Sequence, residues 1–420
     1  MTFLRNVILI LVGLVLAQNA PAQSSFYLKD GDRVVFYGDS ITDQRLYTTF
    51  VESFVLTRFP QMKVDFIHSG WGGDRVTGGG GGPVELRLGR DVVAYRPTVV
   101  TIMLGMNDGR YRAFDQQIFD AYSTGYEKIV RMLRTALPSV RMTLIQPSPY
   151  DDVTREPGFE GGYNAVLVRY GQFVKELARR ESLDAADLNT PVTAALEKAR
   201  AADSTLAQRI VPDRVHPAAP GHLLMAGALL KAWNAPALVS SVAIDAAAPQ
   251  VVQAENSTVT DLQAAGSISW TQADSSLPMP LDMKDPVWAL ALRSSDFVDT
   301  LNRQMLMVTG LKEAEYALLV DGEEAGIFSQ DALAQGINLA ALPNPMTGQA
   351  AAVHALTLKH NNIHFARWRQ VQLPLESDAL VQAPVALGAL DSLEVELVQR
   401  QRALAQPRPH RFELRPRNVK

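Results

Sequence analysis

Cysteine is absent from the 420 residues, and with it go disulfides, thiolate nucleophiles and cysteine-ligated zinc. A charge excess of either sign is lacking too. The chain sets 40 basic residues against 44 acidic ones with no long basic run, so its surface is not built to neutralise many phosphates and nucleic acid is not expected as a partner. Internal repeats are missing, and the low-complexity tract Gly78 to Gly82 lacks the Lys-Ser/Thr ending of a phosphate loop. It reads as a flexible rim rather than a nucleotide cradle. What is present is apolar material, 47% of the chain against 20% charged. That excludes wholesale disorder and a collagen-like repeat, and leaves a folded globular protein.

One apolar run stands out, Val7 to Ala17, preceded by Arg5 and followed by Ala20-Pro21-Ala22. The run is shorter than the roughly 20 residues a bilayer needs, and the small residues after it suit cleavage. Residues 1–22 therefore read as a signal peptide, which implies a secreted or periplasmic protein without stable membrane insertion. No cysteine follows the site, so a lipid cannot be attached there.

Beyond the leader the first half alternates two periods. Arg33 to Tyr37 is β-branched or aromatic and ends at Gly38, as a buried parallel strand does. Strands follow at Lys63 to Ile67, Thr98 to Leu104, Met142 to Gln146 and Leu183 to Leu188. Between and after them helices are expected at Leu46 to Phe59, Val84 to Tyr95, Ile118 to Leu137, Tyr163 to Glu181 and Pro220 to Trp233. Such alternation predicts an α/β fold, a parallel sheet covered by helices on both faces, with ligands beyond the carboxyl ends of its strands. After Trp233 the texture changes. Short strands around Val308 to Gly310, Tyr316 to Val320 and Ala325 to Phe328, with Asp321-Gly322 as a hairpin turn, predict a β-containing region. Ala351 to Gln370 and Asp391 to Ala405 look helical, and Pro407 to Lys420 is a basic tail. The domains expected are residues 23–238 and 239–420, the second docked on the first.

Four short motifs fall at strand ends: Gly38-Asp39-Ser40, Gly70-Trp71-Gly72-Gly73-Asp74, Gly105-Met106-Asn107-Asp108 and Asp213-Arg214-Val215-His216. In this order the set resembles the SGNH or GDSL hydrolase family over roughly residues 30–235. The resemblance implies a flavodoxin-like three-layer fold and ester hydrolysis by a serine nucleophile. One position departs from the family, which often has Asn where this chain has His68.

Acyl transfer needs a nucleophile, a base, a group to orient the base and donors for the oxyanion. Ser40 is the candidate nucleophile, His216 the base and then acid, and Asp213 the residue that holds its imidazole. By resemblance the oxyanion hole joins the backbone N–H of Gly73 and the side-chain amide of Asn107 to the N–H of Ser40. Asp39, Asp74 and Asp108 read as caps and props of their loops. His354, His360 and His364 are spaced along one helix face without a carboxylate cluster, so a surface helix is expected and no metal or cofactor. Trp71, Tyr47 and Tyr111 lie close enough to the motifs to stack on sugar rings. The favoured substrate is accordingly an O-acetylated carbohydrate, with a lipid or lysophospholipid ester as the alternative. A non-catalytic binding protein is the reading from another class, and the complete set of motifs speaks against it.

Overall fold

The computed structural model describes residues 25–378 and 380–417; the leader expected over residues 1–22 lies outside them. At its centre is a five-stranded parallel sheet. From one edge to the other the strands are Asp65–Gly70, Arg33–Gly38, Val99–Met103, Arg141–Ile145 and Asp184–Ala186. That is the flavodoxin-like order, in which the first strand lies inside the second. Every residue of Val99–Met103 is buried. Successive strand residues point to opposite faces, so burial without alternation means that helices cover both. Leu46–Arg58 packs on Ala219–Ala232, and Gln116–Ala136 on Gly162–Arg180. Helix Ala219–Ala232 is followed by Trp233, whose indole N–H donates to Thr143 Oγ1 at 2.9 Å.

Three strand ends stop level with one another, since Gly38 is in register with both Gly70 and Met103. The short helix Ser40–Asp43 folds back onto these ends. Glycine is needed there for space: a Cβ on Gly38 would come within 2.2 Å of Thr42 Oγ1, and one on Gly70 within 2.1 Å of the Asp43 nitrogen. The loops that leave these strands, which carry three of the four motifs, therefore converge at one sheet edge.

The later region holds two further sheets around one core. In the first, Ser257–Ala265, Ser267–Asp274, His410–Pro416, Glu315–Val320 and Glu323–Ser329 pair antiparallel in that order. In the second, Leu238–Asp245 lies between Gln250–Glu255 and Arg303–Thr309, with Ile337–Asn338 at the edge. Trp270, Leu318, Phe412 and Leu414 from one sheet share a core with Val242, Ile244, Leu306 and Val308 from the other. The hairpin at Asp321-Gly322 forms with both residues at positive φ, 54° and 86°, the conformation a two-residue hairpin turn favours. The basic tail is not a loose end. His410–Pro416 is the middle strand of its sheet, and Phe412, fully buried, stacks on Trp270 at 5.2 Å.

The two regions meet along several elements. Helices Pro286–Arg293 and Phe297–Leu301 add Leu290, Phe297 and Leu301 to the core of the parallel sheet. Arg58 donates to the carbonyls of Pro236, Leu238 and Leu301. Helix Pro345–Phe365 runs against Leu46–Arg58 on one side and Ala383–Leu404 on the other. The expected surface helix is thus corrected: His360 and His364 are buried because this helix is wedged between two others. His354 bonds Ser53 Oγ at 2.9 Å, and both His360 and His364 face the Glu394 carboxylate. Among the described residues no group of histidines and carboxylates is arranged to hold a metal ion.

Candidate active site

Asp39 ends the strand Arg33–Gly38 and caps the short helix, its Oδ1 accepting the N–H of Ile41 at 3.1 Å. This fixes the backbone of Ser40 at the helix start, where its hydroxyl faces the loop before Ala219–Ala232. There Asp213 makes a tight turn: its Oδ1 accepts the N–H groups of Val215 and His216 at 2.9 and 2.7 Å, with Arg214 between them at a φ of 74°. The turn brings Asp213 Oδ2 within 2.7 Å of His216 Nδ1, and His216 Nε2 lies 2.8 Å from Ser40 Oγ. Partial burial pushes the Asp213 carboxyl up, but the bonds from His216 and Val215 outweigh it, and the net shift is below the ordinary carboxylate range. An ionised Asp213 takes a proton-bearing Nδ1 as donor and leaves Nε2 to accept from the serine hydroxyl.

Gly73 and Asn107 flank the same edge. Gly73 has a φ of 78°, and a Cβ added there would meet nothing within 4 Å. Glycine at 73 therefore answers a backbone requirement of its loop. The Asn107 amide is held at both ends, Nδ2 donating to the Asp74 carbonyl at 3.0 Å and Oδ1 accepting the Tyr111 hydroxyl at 3.0 Å. Asp108 Oδ1 takes the N–H of Val76 at 3.0 Å and so ties the second and third loops together. Burial pushes the carboxyls of Asp39 and Asp108 up to about 7 each, against the backbone N–H groups that bond them.

Asp74 does more than prop its own loop. With Arg87, Asp91 and Arg90 it forms a buried charged cluster beneath the Gly70–Asp74 segment, in which Arg87 Nε donates to Asp74 Oδ2 and Nη2 to the Ser69 carbonyl, both at 2.8 Å. Trp368, from the later region, donates its indole N–H to Asp91 Oδ1 at 2.8 Å. His68 bonds Thr48 Oγ1 at 2.7 Å and Glu52 Oε2 at 3.3 Å, anchoring the strand Asp65–Gly70 to a helix, not bridging its turn.

The three aromatic candidates separate. Tyr47 is withdrawn as a substrate contact, because its ring is fully buried and its hydroxyl bonds Thr42 Oγ1. Trp71 is corrected as a sugar platform: the backbone of Gly81 packs against its ring and Arg369 lies 3.4 Å over it. The glycine tract is accordingly a small hairpin, Gly78–Gly79 paired with Gly82–Pro83, seated on that indole. Tyr111 stays 44% exposed beside Asn107. Sequence reasoning missed Arg45, Phe365 and Arg369. A cleft of about 520 Å³ is lined by Ser40, Asp43, Gln44, Arg45, Asp213, His216 and Phe365. No pattern in the sequence links Phe365 to Ser40, since only the packing of the last helices brings it there.

A sequence model of the GDSL-like Lipase/Acylhydrolase family matches residues 36–224, which contain all four motifs. This segment belongs to that family. The chain is a carboxylic ester hydrolase. An acetylxylan esterase of Geobacillus stearothermophilus is 24% identical over 219 residues, 48% of this chain and 93% of that protein. The solved structure of a gut microbial diltiazem-metabolizing enzyme is 26% identical with a TM-score of 0.79, and the match covers 94% of this chain and 100% of that one. The arrangement of a parallel α/β segment followed by two further sheets and long helices is therefore shared with that structure over 94% of this chain.

Proposed function

We propose that this chain is an exported serine esterase that removes O-acetyl groups from carbohydrate. The observation that carries the mechanism is His216 bridging Ser40 and Asp213 at 2.8 and 2.7 Å. Ser40 Oγ attacks the acetyl carbonyl carbon while His216 Nε2 takes its proton, and Asp213 stabilises the imidazolium. The negative charge on the carbonyl oxygen is met by the N–H groups of Ser40 and Gly73 and by Asn107 Nδ2. The C–O bond to the sugar then breaks, and His216 returns the proton to the leaving hydroxyl. Water, deprotonated by the same imidazole, releases acetate from Ser40.

The acetyl and carbohydrate parts of the reading draw on the acetylxylan esterase relative and on an open cleft lined by Ser40, Asp213 and His216. Export draws on the leader composition of residues 1–22. Acetate release from acetylated xylan, set beside hydrolysis of short and long 4-nitrophenyl esters, tests the reading. Release of acetate with a steep fall in rate as the acyl chain lengthens is the expected result. Preference for long acyl chains with no acetate released would replace it with the lipid alternative.

A further inference from the structure

The cleft beside Ser40 is lined by one cationic side chain that acyl transfer does not use, Arg45, and a second, Arg369, stands behind the ring of Phe365. Arg45 follows the short helix at a φ of 59°, a left-handed conformation that a non-glycine residue adopts at a cost and that tends to mark functional positions. Its guanidinium stacks 4.1 Å from the ring centre of Phe365. Arg369, in the π-helical turn Ala366–Gln372, stacks 3.4 Å over Trp71 and 5.5 Å from Phe365. The aromatic rings hold both forks in place, so little side-chain freedom is left to lose on binding.

The two guanidiniums share one carboxylate. Asp43 Oδ1 is 3.6 Å from Arg45 Nη1 and 3.7 Å from Arg369 Nη1, beyond hydrogen-bond reach, and this buried oxygen has no hydrogen-bond partner. Its companion Oδ2 accepts the N–H of Gly72 at 3.1 Å. Arg45 spends its other donors on the Asp43 carbonyl and on Asn362 Oδ1 at 3.4 Å, while its buried Nε has no partner. Arg369 reaches the Gly70 carbonyl at 3.5 Å. Asp43 is the carboxylate within 4 Å of both guanidiniums, while Asp74 and Asp91 act on Arg369 from farther off. Burial works most against the charged forms of both, Asp43 favours them, and repulsion by Arg369 on Arg45 and by Arg87 on Arg369 adds to the cost. An incoming anion offsets these costs, and a planar carboxylate matches a guanidinium fork.

We propose that Arg45 and Arg369 bind a carboxylate carried by the substrate and so present the ester of an acidic sugar to Ser40. The inference rests on the carbohydrate O-acetyl reading above and deepens it, because the substrate class becomes acetylated uronic-acid glycans. Phe365 and Arg369 come from the later region, which makes that region a source of specificity.

The test compares acetate release from O-acetylated oligogalacturonate and O-acetylated xylo-oligosaccharide of equal length, using the full chain at low and at about 0.3 M salt. The acidic substrate should be favoured by about tenfold in kcat/KM at low salt, with the preference carried by KM and shrinking as salt rises. Arg369→Gln should reduce that ratio by a similar factor, again through KM. The salt dependence of the unaltered protein decides the matter should the variant fail to fold. Equal kcat/KM on the two substrates at both salt concentrations would overturn the carboxylate site and leave the acetyl-esterase reading standing. Acetate release from neither substrate would overturn both.

Discussion

Two five-stranded sheets stand side by side in this chain, one parallel and one antiparallel, and they divide the work unequally. In the parallel sheet each strand is followed by a helix, the strands are buried on both faces, and their carboxyl ends stop level at Gly38, Gly70 and Met103. The loops that leave such an edge meet one another, which is how the segments of Ser40, Gly73 and Asn107 come to share one sheet edge. The antiparallel sheet has no comparable edge. Its strands alternate, Ser267–Asp274 burying every second residue, and its hairpins scatter their turns. What the later region brings to the site is carried by its helices, as Phe365, Trp368 and Arg369. A parallel sheet concentrates chemistry, and the added region supplies walls and anchors.

If that division holds, the largest effect of any single change should come from the strand-end loops. Ser40→Ala is expected to lower kcat for a small acetyl ester by about 10⁴-fold or more while leaving the melting temperature within a few degrees, because a partly exposed hydroxyl contributes little to the core. Turnover near that of the unaltered enzyme would remove the serine from the mechanism. Asn107→Ala comes next, with a loss of roughly 10²–10³ in kcat and a small change in KM, as for a donor that acts on the transition state. A loss confined to KM would move Asn107 from oxyanion stabilisation to substrate binding.

Changes in the later region should act through stability first. Trp368→Phe keeps an aromatic ring beside Arg87 but removes the indole donor to the buried carboxylate of Asp91. A hydrogen bond to a buried charge is worth about 1.5–3 kcal/mol. Arg87 and Arg90 continue to pair with Asp91, so the lower end is expected in a urea titration. A variant as stable as the parent would show that the Trp368–Asp91 bond contributes nothing to joining the two regions.

The contrast between the sheets also explains what could be read in advance. Buried parallel strands are continuous runs of β-branched residues, so Arg33 to Tyr37 and Thr98 to Leu104 stand out, and glycine-flanked motifs mark where they end. The Asp-to-His spacing in Asp213-Arg214-Val215-His216 is local and was legible with them. The helix Asn189–Ala202 was missed because its alanines and polar residues give no strong apolar stripe. The strand His410–Pro416 was missed because its partners lie about 90 and 140 residues earlier in the chain, and arginines on its exposed face disguise the alternation. Two of the three aromatic residues near the motifs, Tyr47 and Trp71, were misjudged for a related reason. Proximity in sequence to a loop says which sheet edge a residue is near, not whether its ring turns inward, as Tyr47 does, or is already covered, as Trp71 is by Arg369 from nearly 300 positions away.

The smallest expected effect would sharpen the view that the strand-end edge trades stability for an ordered site. Burial raises the Asp108 carboxyl from its ordinary 3.8 to about 7, the N–H of Val76 opposing that rise. The folded state then holds a proton that the unfolded chain has already released, so stability falls as pH rises from about 4 to about 7 and levels off above. Asp39, also raised to about 7, adds a second such loss beneath Ser40. Asp108→Asn keeps an oxygen for Val76 N–H and cannot ionise. The amide nitrogen would replace Oδ2, which has no partner, and that cost is the same at every pH. The variant should therefore lose on the order of 1–2 kcal/mol less than the parent between about pH 6 and pH 8, measured by urea unfolding at each pH, with the remaining slope due to Asp39 and other titrating groups. Parallel stability profiles for parent and variant would mean that Asp108 does not titrate in this window, and that the loop tie to Val76 is made without the penalty of a buried charge.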